Sequence, residues 1–185
     1  VKVIAISDVS GGLFCKDGLD IDAISVFLET EGALLKDYSA PGVSHISNED
    51  VLTCDCDVLV PAALENQITA DNAEKLNCRY IVEAANGPTT EEADAILEHR
   101  GITLIPDIFA NSGGVIVSYF EWVQNIQELT WDRDQVNEML EKLMSKSFQS
   151  LLDAADECHC SYRMAAYIVA LRKLVTAEKM KGIFP

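Results

Sequence analysis

Four short segments in the first 110 positions are rich in β-branched and other apolar residues. They cover positions 1–8, 57–63, 79–85 and 103–108, and each has the length and composition of a buried strand. Between the first two, apolar residues from Leu19 to Leu28 recur at helical spacing. Near-continuous apolar strands that alternate with helices predict an α/β fold with a parallel sheet covered on both faces.

Two threonines mark the expected starts of helices in this half of the chain. Thr69 precedes a short helix that reaches Leu76. Thr89 is followed three residues later by Glu92, which fits a capping box and predicts a helix that ends by Gly101.

The strand pattern stops after Asn111. Three helical stretches then follow without strands, at about 112–129, 133–157 and 162–181. Ser161 is placed to cap the last of them. The sequence therefore predicts a sheet-containing first part and a helical second part.

Composition and charge narrow the class of protein. The chain has 185 residues, of which 49% are hydrophobic and 24% charged, as in an ordinary globular domain. No apolar run has the roughly 18 residues of a membrane span. The 14 Lys and Arg against 30 Asp and Glu give a net charge of −16, which repels nucleic-acid phosphates. We therefore expect neither a nucleic acid nor a membrane as partner.

The cysteines do not indicate a metal site. The sequence contains six, at Cys15, Cys54, Cys56, Cys78, Cys158 and Cys160. The two C-x-C pairs are spaced too tightly for the common structural zinc sites. We expect reduced, mostly buried cysteines in a cytoplasmic protein, and no bound metal.

Candidate chemistry lies where the predicted strands end, because ligands bind beyond the carboxyl ends of parallel strands. Asp8 ends the first strand, just before Ser10-Gly11-Gly12. A carboxylate there can accept bonds from ribose hydroxyls and repels a 2′-phosphate, which favours NAD over NADP. An Asp that only caps the loop is the alternative, and the residue taken alone favours that alternative.

The segment after the fourth strand carries an amide and two glycines. Asn111, Val115 and Ser118 stand at i, i+4 and i+7, which places them on one helix face. An amide, a small apolar group and a hydroxyl can bind a carboxamide and a substrate carboxylate. Alternatively, Ser118 bonds back to its own helix and the glycines allow close packing. Both interpretations stay open at this point.

The other strand ends carry small residues and an amide. Ala62 and Ala63 would let a flat ligand approach the backbone, and Asn86 precedes a Gly-Pro turn. Asn86 is either a turn residue or a contact for a ribose. Glu83 lies inside an apolar strand, so it is either buried and hydrogen-bonded or on the rim. No G-x-G-x-x-G occurs in the chain.

Taken together, these motifs resemble the coenzyme domain of the glutamate dehydrogenase family. The matching runs are P-A-A-L-E-N-Q-I at 61–68, E-A-A-N-G-P-T-T at 83–90, P-D-I-F-A-N-S-G-G-V at 106–115 and, most specifically, S-Y-F-E-W-V-Q-N at 118–125. The resemblance continues to R-M-A-A-Y at 163–167. It implies a Rossmann-like, doubly wound, mostly parallel sheet followed by C-terminal helices. Residues 1–130 would be the NAD(P)-binding part, and 131–185 would pack toward a substrate domain.

The resemblance also implies roles for individual residues. Five would bind the coenzyme, with Asp8 at the adenosine ribose, Ala62 and Ala63 beneath the dinucleotide, and Asn86 and Asn111 at the nicotinamide ribose and carboxamide.

Two further residues, Val115 and Ser118, would face the glutamate side chain, and Ser118 would bond its distal carboxylate. That polar contact argues against a branched-chain or aromatic amino-acid dehydrogenase, which is the nearest alternative.

The implied reaction interconverts L-glutamate with 2-oxoglutarate and ammonia. NAD, or alternatively NADP, would carry the hydride, and the implied assembly is a homo-hexamer. In this family the catalytic Lys and Asp and the glycine-rich phosphate turn belong to segments that precede position 1. We therefore expect a fragment that begins at the second Rossmann strand and has no activity alone. A non-catalytic binding module derived from the same fold is the other alternative.

Overall fold

In the computed structural model, which describes residues 1–181, the first strand pairs with a segment that the sequence presented as a turn. β1 (Ala5–Asp8) runs antiparallel to β2 (Gly11–Phe14), and β2 runs antiparallel to β3 (Ser44–Ile46). Gly11 has φ +130°, a conformation suited to glycine at the start of the second strand. The prediction that the first strand joins a mostly parallel sheet is therefore wrong for the described residues.

The reason lies in the second glycine of this pair. A Cβ at Gly12 would lie 2.4 Å from Cγ2 of Val51, in α2 (Asn48–Thr53), and 3.3 Å from the carbonyl oxygen of Ile6. Glycine at this position lets β2 pack directly beneath α2. The sequence pattern suggested a loop because a packing requirement and a turn requirement both select glycine.

A first apolar core covers this antiparallel sheet. In this core, α1 (Ile21–Leu28) and the 3₁₀ turn Leu35–Asp37 pack against the strands. Its buried members are Leu13, Cys15, Leu19, Ile24, Leu35 and Tyr38.

The remaining three strands form the parallel sheet that the sequence predicted. The order is β4 (Val58–Leu59), β5 (Tyr80–Val82) and β6 (Thr103–Ile105), with α3 (Ala70–Ala73) and α4 (Glu91–His99) in the connections. A second core fills the space between sheet and helices, made of Leu59, Ile68, Ala73, Leu76, Ile81, Ala93, Leu97 and Ile102. The α/β class is confirmed, and the doubly wound topology stays a prediction.

The fourth predicted strand ends earlier than expected. The backbone turns into a short helix, α5 (Asp107–Ala110), because the carbonyl of Pro106 accepts a bond from the N–H of Ala110 at 2.8 Å. α6 (Gly113–Gln127) then begins after Asn111. Asn111 consequently lies between two helices rather than inside one.

The three long helices match the three predicted stretches. They are α6, α7 (Arg133–Cys158) and α8 (Tyr162–Lys181). Oγ of Ser161 accepts a bond from the N–H of Met164 at 3.3 Å, which confirms its predicted capping role. Small residues let α7 and α8 approach closely in a third core, formed by Leu151, Ala154, Ala155, Ala165 and Ala166. Of the helices within residues 1–181, none combines the length and apolar character needed to cross a membrane.

All six cysteines are free, as predicted, but only Cys15 is fully buried. Cys158 is exposed and the other four are partly buried, so the prediction of mostly buried cysteines holds only in part. Burial raises the pKa of the Cys56 thiol to about 12, so this thiol stays protonated and unreactive at neutral pH. Among residues 1–181, no group of three or more His, Cys, Asp or Glu side chains is arranged so that it could hold a metal ion.

The start of α4 differs by one residue from the predicted capping box. Oγ1 of Thr90 accepts a bond from the N–H of Ala93 at 3.3 Å, whereas Thr89 pairs with Ile68 in an isolated parallel bridge. Within the described residues, the buried Oγ1 of Thr89 has no hydrogen-bond partner. Thr90 is therefore the N-cap.

This difference gives a first testable prediction. Thr90→Ala is expected to lower the free energy of unfolding by about 1 kcal/mol, because it removes the cap. Thr89→Val is expected to preserve or raise stability, because it replaces an unpaired buried hydroxyl by a methyl group of the same shape. Urea unfolding of the two variants separates them, and equal losses would show that the capping residue is misassigned.

Candidate active site at the ends of the parallel strands

The carboxyl ends of β4, β5 and β6 lie side by side. The carbonyl of Pro61, after β4, accepts bonds from the N–H groups of Ala84 at 3.1 Å and Ala85 at 2.9 Å. On the other side, the N–H of Glu83 donates to the carbonyl of Ile105 at 3.1 Å. Backbone pairing therefore continues past the strands and brings three predicted site segments to one edge.

Asn86 and Asn111 meet at this edge. Nδ2 of Asn111 donates to Oδ1 of Asn86 at 2.8 Å, and lies 3.4 Å from the carbonyl oxygen of Ala84. Within residues 1–181, no protein group bonds Nδ2 of Asn86 or Oδ1 of Asn111. The amide pair thus offers one donor and one acceptor, which can bind a carboxamide or a ribose hydroxyl.

The glycines next to these amides leave space around the backbone. A Cβ at Gly87 or at Gly114 would meet no atom within 4 Å, and one at Gly113 would make an ordinary contact of 3.8 Å with Leu140. Close packing therefore does not require these glycines. Gly87 has φ +53°, a left-handed conformation that itself favours glycine. Gly113 and Gly114 have no such requirement, and their lack of side chains fits the approach of a flat ligand to the strand ends.

Ala62 and Ala63 follow the buried Pro61 and are exposed. The loop that contains them stays close to the Asn86 turn, because the N–H of Asn66 donates to the carbonyl of Gly87 at 2.9 Å. The structure thus places both alanines beside the amide pair, as small groups along the same edge.

Val115 and Ser118 lie on the first turns of α6. Val115 is 74% exposed, and the hydroxyl of Ser118 donates to the carbonyl of Gly114 at 3.1 Å. The sequence left open whether Ser118 bonds back to its own helix, and the structure shows this bond. A bound carboxylate would receive the hydroxyl proton only after the hydroxyl turned away from the carbonyl of Gly114. The first turn of α6 contains no acidic residue, and its exposed N–H groups favour an anion.

Asp8 lies in the other sheet. Its carboxylate accepts bonds from N–H and Oγ of Ser10 at 2.7 and 2.6 Å, and from the N–H of Leu35 at 2.9 Å. Burial opposes its charge, but these hydrogen bonds outweigh burial and lower the pKa of Asp8. The geometry supports the loop-capping alternative. Within the described residues no hydrogen bond joins Asp8 to the amide pair, and its contact with a ribose stays a prediction.

One group of charged residues beneath the site was not predicted. Glu83 is fully buried, and the guanidinium of Arg163 reaches it from α8. An acidic residue in an apolar strand signals a buried cation partner. The sequence could not identify Arg163 as that partner, because 80 positions separate the two residues.

Comparison with known proteins gives a consistent result. The family model described as glutamate/leucine/phenylalanine/valine dehydrogenase matches residues 1–182. An NAD-specific glutamate dehydrogenase of Bacillus subtilis is 46% identical over 98% of this chain and 42% of its own length. An NADP-specific glutamate dehydrogenase of Halobacterium salinarum is 46% identical over 99% of this chain and 44% of its own length.

A solved structure is similar over the whole chain. The hetero-hexameric glutamate dehydrogenase of Thermus thermophilus, in a leucine-bound form, superimposes with a TM-score of 0.88 at 30% identity. The match covers 100% of this chain and 42% of that one. The chain therefore spans less than half the length of the relatives that it matches.

Proposed function

We propose, because this chain belongs to the glutamate/leucine/phenylalanine/valine dehydrogenase family, that it is the coenzyme-binding part of a glutamate dehydrogenase. The enzyme would convert L-glutamate to 2-oxoglutarate and ammonia. The observation that carries this proposal is the Asn86–Asn111 pair, which presents a free amide donor and a free amide acceptor at the ends of parallel strands. The relatives, which include NAD-specific and NADP-specific enzymes, support a nicotinamide coenzyme.

The residues at the strand ends fit such a coenzyme. A bound nicotinamide would supply the hydride acceptor, and the residues at the strand ends would hold and orient it. Oδ1 of Asn111 would accept from the carboxamide and Nδ2 of Asn86 would donate to a carboxamide or ribose oxygen. Ala62 and Ala63 would line the same edge without obstructing it. Holding the reacting groups in one orientation lowers the entropic part of the barrier.

The first turns of α6 would select the substrate. Ser118 can donate its hydroxyl proton to the distal carboxylate of glutamate, and Val115 would contact the methylene groups. The N–H groups at the start of α6 would stabilise the negative charge. A branched-chain substrate would leave the Ser118 hydroxyl without that partner, so glutamate is the favoured substrate class.

We further propose a homo-hexamer as the assembly. The Thermus thermophilus relative is hetero-hexameric, and its similarity extends over the whole of this chain. We expect NAD as the preferred coenzyme and NADP as the alternative, because the Asp8 carboxylate would repel a 2′-phosphate. Oδ2 of Asp8 accepts one bond and retains a position for a ribose hydroxyl.

The test is an assay of the protein that carries this chain, by absorbance of the reduced coenzyme. Glutamate-dependent reduction is expected with a higher kcat/KM for NAD than for NADP. Asn111→Ala is expected to raise the KM for coenzyme by about tenfold, the effect of losing one or two hydrogen bonds.

Asn137→Ala is the control, since Asn137 is exposed on α7 and its side chain makes no hydrogen bond to the described residues of the strand ends. The KM of this variant is expected to stay within about twofold of the unsubstituted protein. Absence of glutamate-dependent reduction would refute the proposed function. A clear preference for NADP would refute only the role of Asp8, and equal effects of the two Asn variants would refute the role of Asn111.

A further inference from the structure

Arg163, in α8, contacts carboxylates from three other segments of the fold. From α8, its guanidinium donates to both carboxylate oxygens of Glu83, at 2.8 and 3.0 Å. It also bonds Asp94 of α4 and lies 3.5 Å from Oδ1 of Asp107, the first residue of α5. We call Arg163 with these three carboxylates the Arg163 cluster. The side chains are largely buried, with exposures of 22% for Arg163, 0% for Glu83, 26% for Asp94 and 21% for Asp107.

Hydrogen bonds continue from the cluster to the candidate site. Oε2 of Glu83 accepts from the N–H of Asp107 at 2.9 Å. Oδ2 of Asp107 accepts from the N–H of Gly87 at 2.8 Å, directly after Asn86. The carbonyl of Asp107 accepts from the N–H of Asn111 at 3.1 Å. Both amides of the pair are therefore one or two bonds from Asp107, which the Arg163 cluster holds.

The charge balance explains why arginine stands at this position. Three carboxylates share one cation, so their mutual repulsion has to be offset at short range. A guanidinium donates from several nitrogens in a fixed plane and can bond two carboxylates at once, whereas an ammonium is a compact point charge. Burial alone would lower the pKa of Arg163, but its bonds with Glu83 and Asp94 raise it above the usual range, so the cation is permanent.

We propose that Arg163 is a positioning residue for the coenzyme site. By fixing Glu83 and Asp107, it sets the spacing of the Asn86 turn and the start of α5, and hence the geometry of the Asn86–Asn111 pair. The proposal rests on the proposed function for its coenzyme, but the geometry that it describes can be measured independently. It also makes α8, the last described helix, a structural support of a site that α8 does not itself line.

The experiment compares Arg163→Lys with Arg172→Lys in the protein that carries this chain. Both changes keep the positive charge on α8, so long-range attraction to coenzyme phosphates is unchanged. Arg172 is the matched control because it forms an exposed pair with Glu157 at 2.7 Å and has no contact with the cluster. Two quantities are measured: hydrogen exchange of the Gly87 and Asp107 amides, and the Kd for NADH by fluorescence titration.

Arg163→Lys is expected to accelerate exchange at both amides and to raise the Kd by about tenfold, because a small displacement of binding groups is costly. Arg172→Lys is expected to change neither. Glu83→Gln gives a second test if Arg163→Lys does not fold, since the amide oxygen still accepts from Asp107 while the paired charge is gone. It should also raise the Kd.

Two results would overturn the positioning role of Arg163, and a third would refute the proposed function. Unchanged exchange at Gly87 and an unchanged Kd in a folded Arg163→Lys protein would overturn the positioning role. A lowered Tm with an unchanged Kd would do the same, because it describes a residue that only stabilises the fold. Absence of NADH binding by the unsubstituted protein would refute the proposed function instead, while the exchange data would still report whether Arg163 holds the Gly87 turn.

Discussion

Arg163→Met is expected to lower the free energy of unfolding by about 3–5 kcal/mol, the usual result when one partner of a buried ion pair is removed. Glu83 is fully buried and would keep one hydrogen bond, from the N–H of Asp107, but no cation. Asp94 and Asp107 would then repel it at short range. Methionine fills much of the space of the arginine stem, so the loss reports charge and hydrogen bonding more than packing.

Urea unfolding of a set of variants measures this effect. Glu83→Gln added to Arg163→Met is expected to recover part of the loss, because no unpaired buried charge then remains at that position. Arg172→Met is the control on the same helix, and it should leave stability nearly unchanged because exposed ion pairs contribute little. Equal losses for Arg163→Met and Arg172→Met, or no recovery in the double variant, would contradict the buried-pair interpretation.

The three long helices were the most predictable part of the fold, whereas the short helices α2 and α5 were not predicted. The stretch predicted at 133–157 corresponds to α7, observed at Arg133–Cys158. The stretch predicted at 162–181 corresponds to α8, observed at Tyr162–Lys181. Their apolar spacing is continuous over many turns, and local signals such as Ser161 mark their starts. Hydrogen bonding in helices is local, so the information that defines them is contained in the segment itself.

The sheets were less predictable because strand pairing is not local. β1 was found, but its partner β2 contains Gly11 and Gly12, which suggested only a turn. Gly12 is in a strand because it pairs with Ser7 and Ile46, and it is a glycine because the side chain of Val51, almost 40 positions further on, leaves no space for a Cβ. A contact of that kind depends on the folded arrangement and has no signature in the strand's own composition.

The candidate site was predicted in outline by one rule. Placing function at the carboxyl ends of parallel strands selected Asn86 and Asn111, and the structure joins them by a hydrogen bond of 2.8 Å. The same rule selected Asp8, which the structure places in a separate antiparallel sheet. Asn111 is held by a local bond from its N–H to the carbonyl of Asp107. The bonds from Gly87 to Asp107 and from Asp107 to Glu83 link positions 20 or more apart, so they could not be read from spacing.

Ser118→Val is expected to lower kcat/KM for glutamate by about tenfold to hundredfold. The physical reason is the loss of the proposed hydrogen bond from Ser118 to the substrate carboxylate, since a bond to a charged group contributes roughly 1.5–3 kcal/mol. Valine has nearly the shape of the Ser118 side chain plus one methyl group, and the position is exposed, so the fold should tolerate it. Turnover of leucine should fall less than turnover of glutamate, because an apolar side chain makes no use of the hydroxyl.

Ser150→Val is the matched control for this change. Ser150 lies on α7, and its hydroxyl donates to the carbonyl of Lys146 at 3.0 Å, just as Ser118 donates to Gly114 at 3.1 Å. Both variants therefore lose the same bond within a helix and accept the same lower helix propensity of valine. A drop in glutamate kcat/KM confined to Ser118→Val would isolate the substrate contact. Equal effects of the two variants, or an unchanged preference between glutamate and leucine, would show that Ser118 serves only its helix.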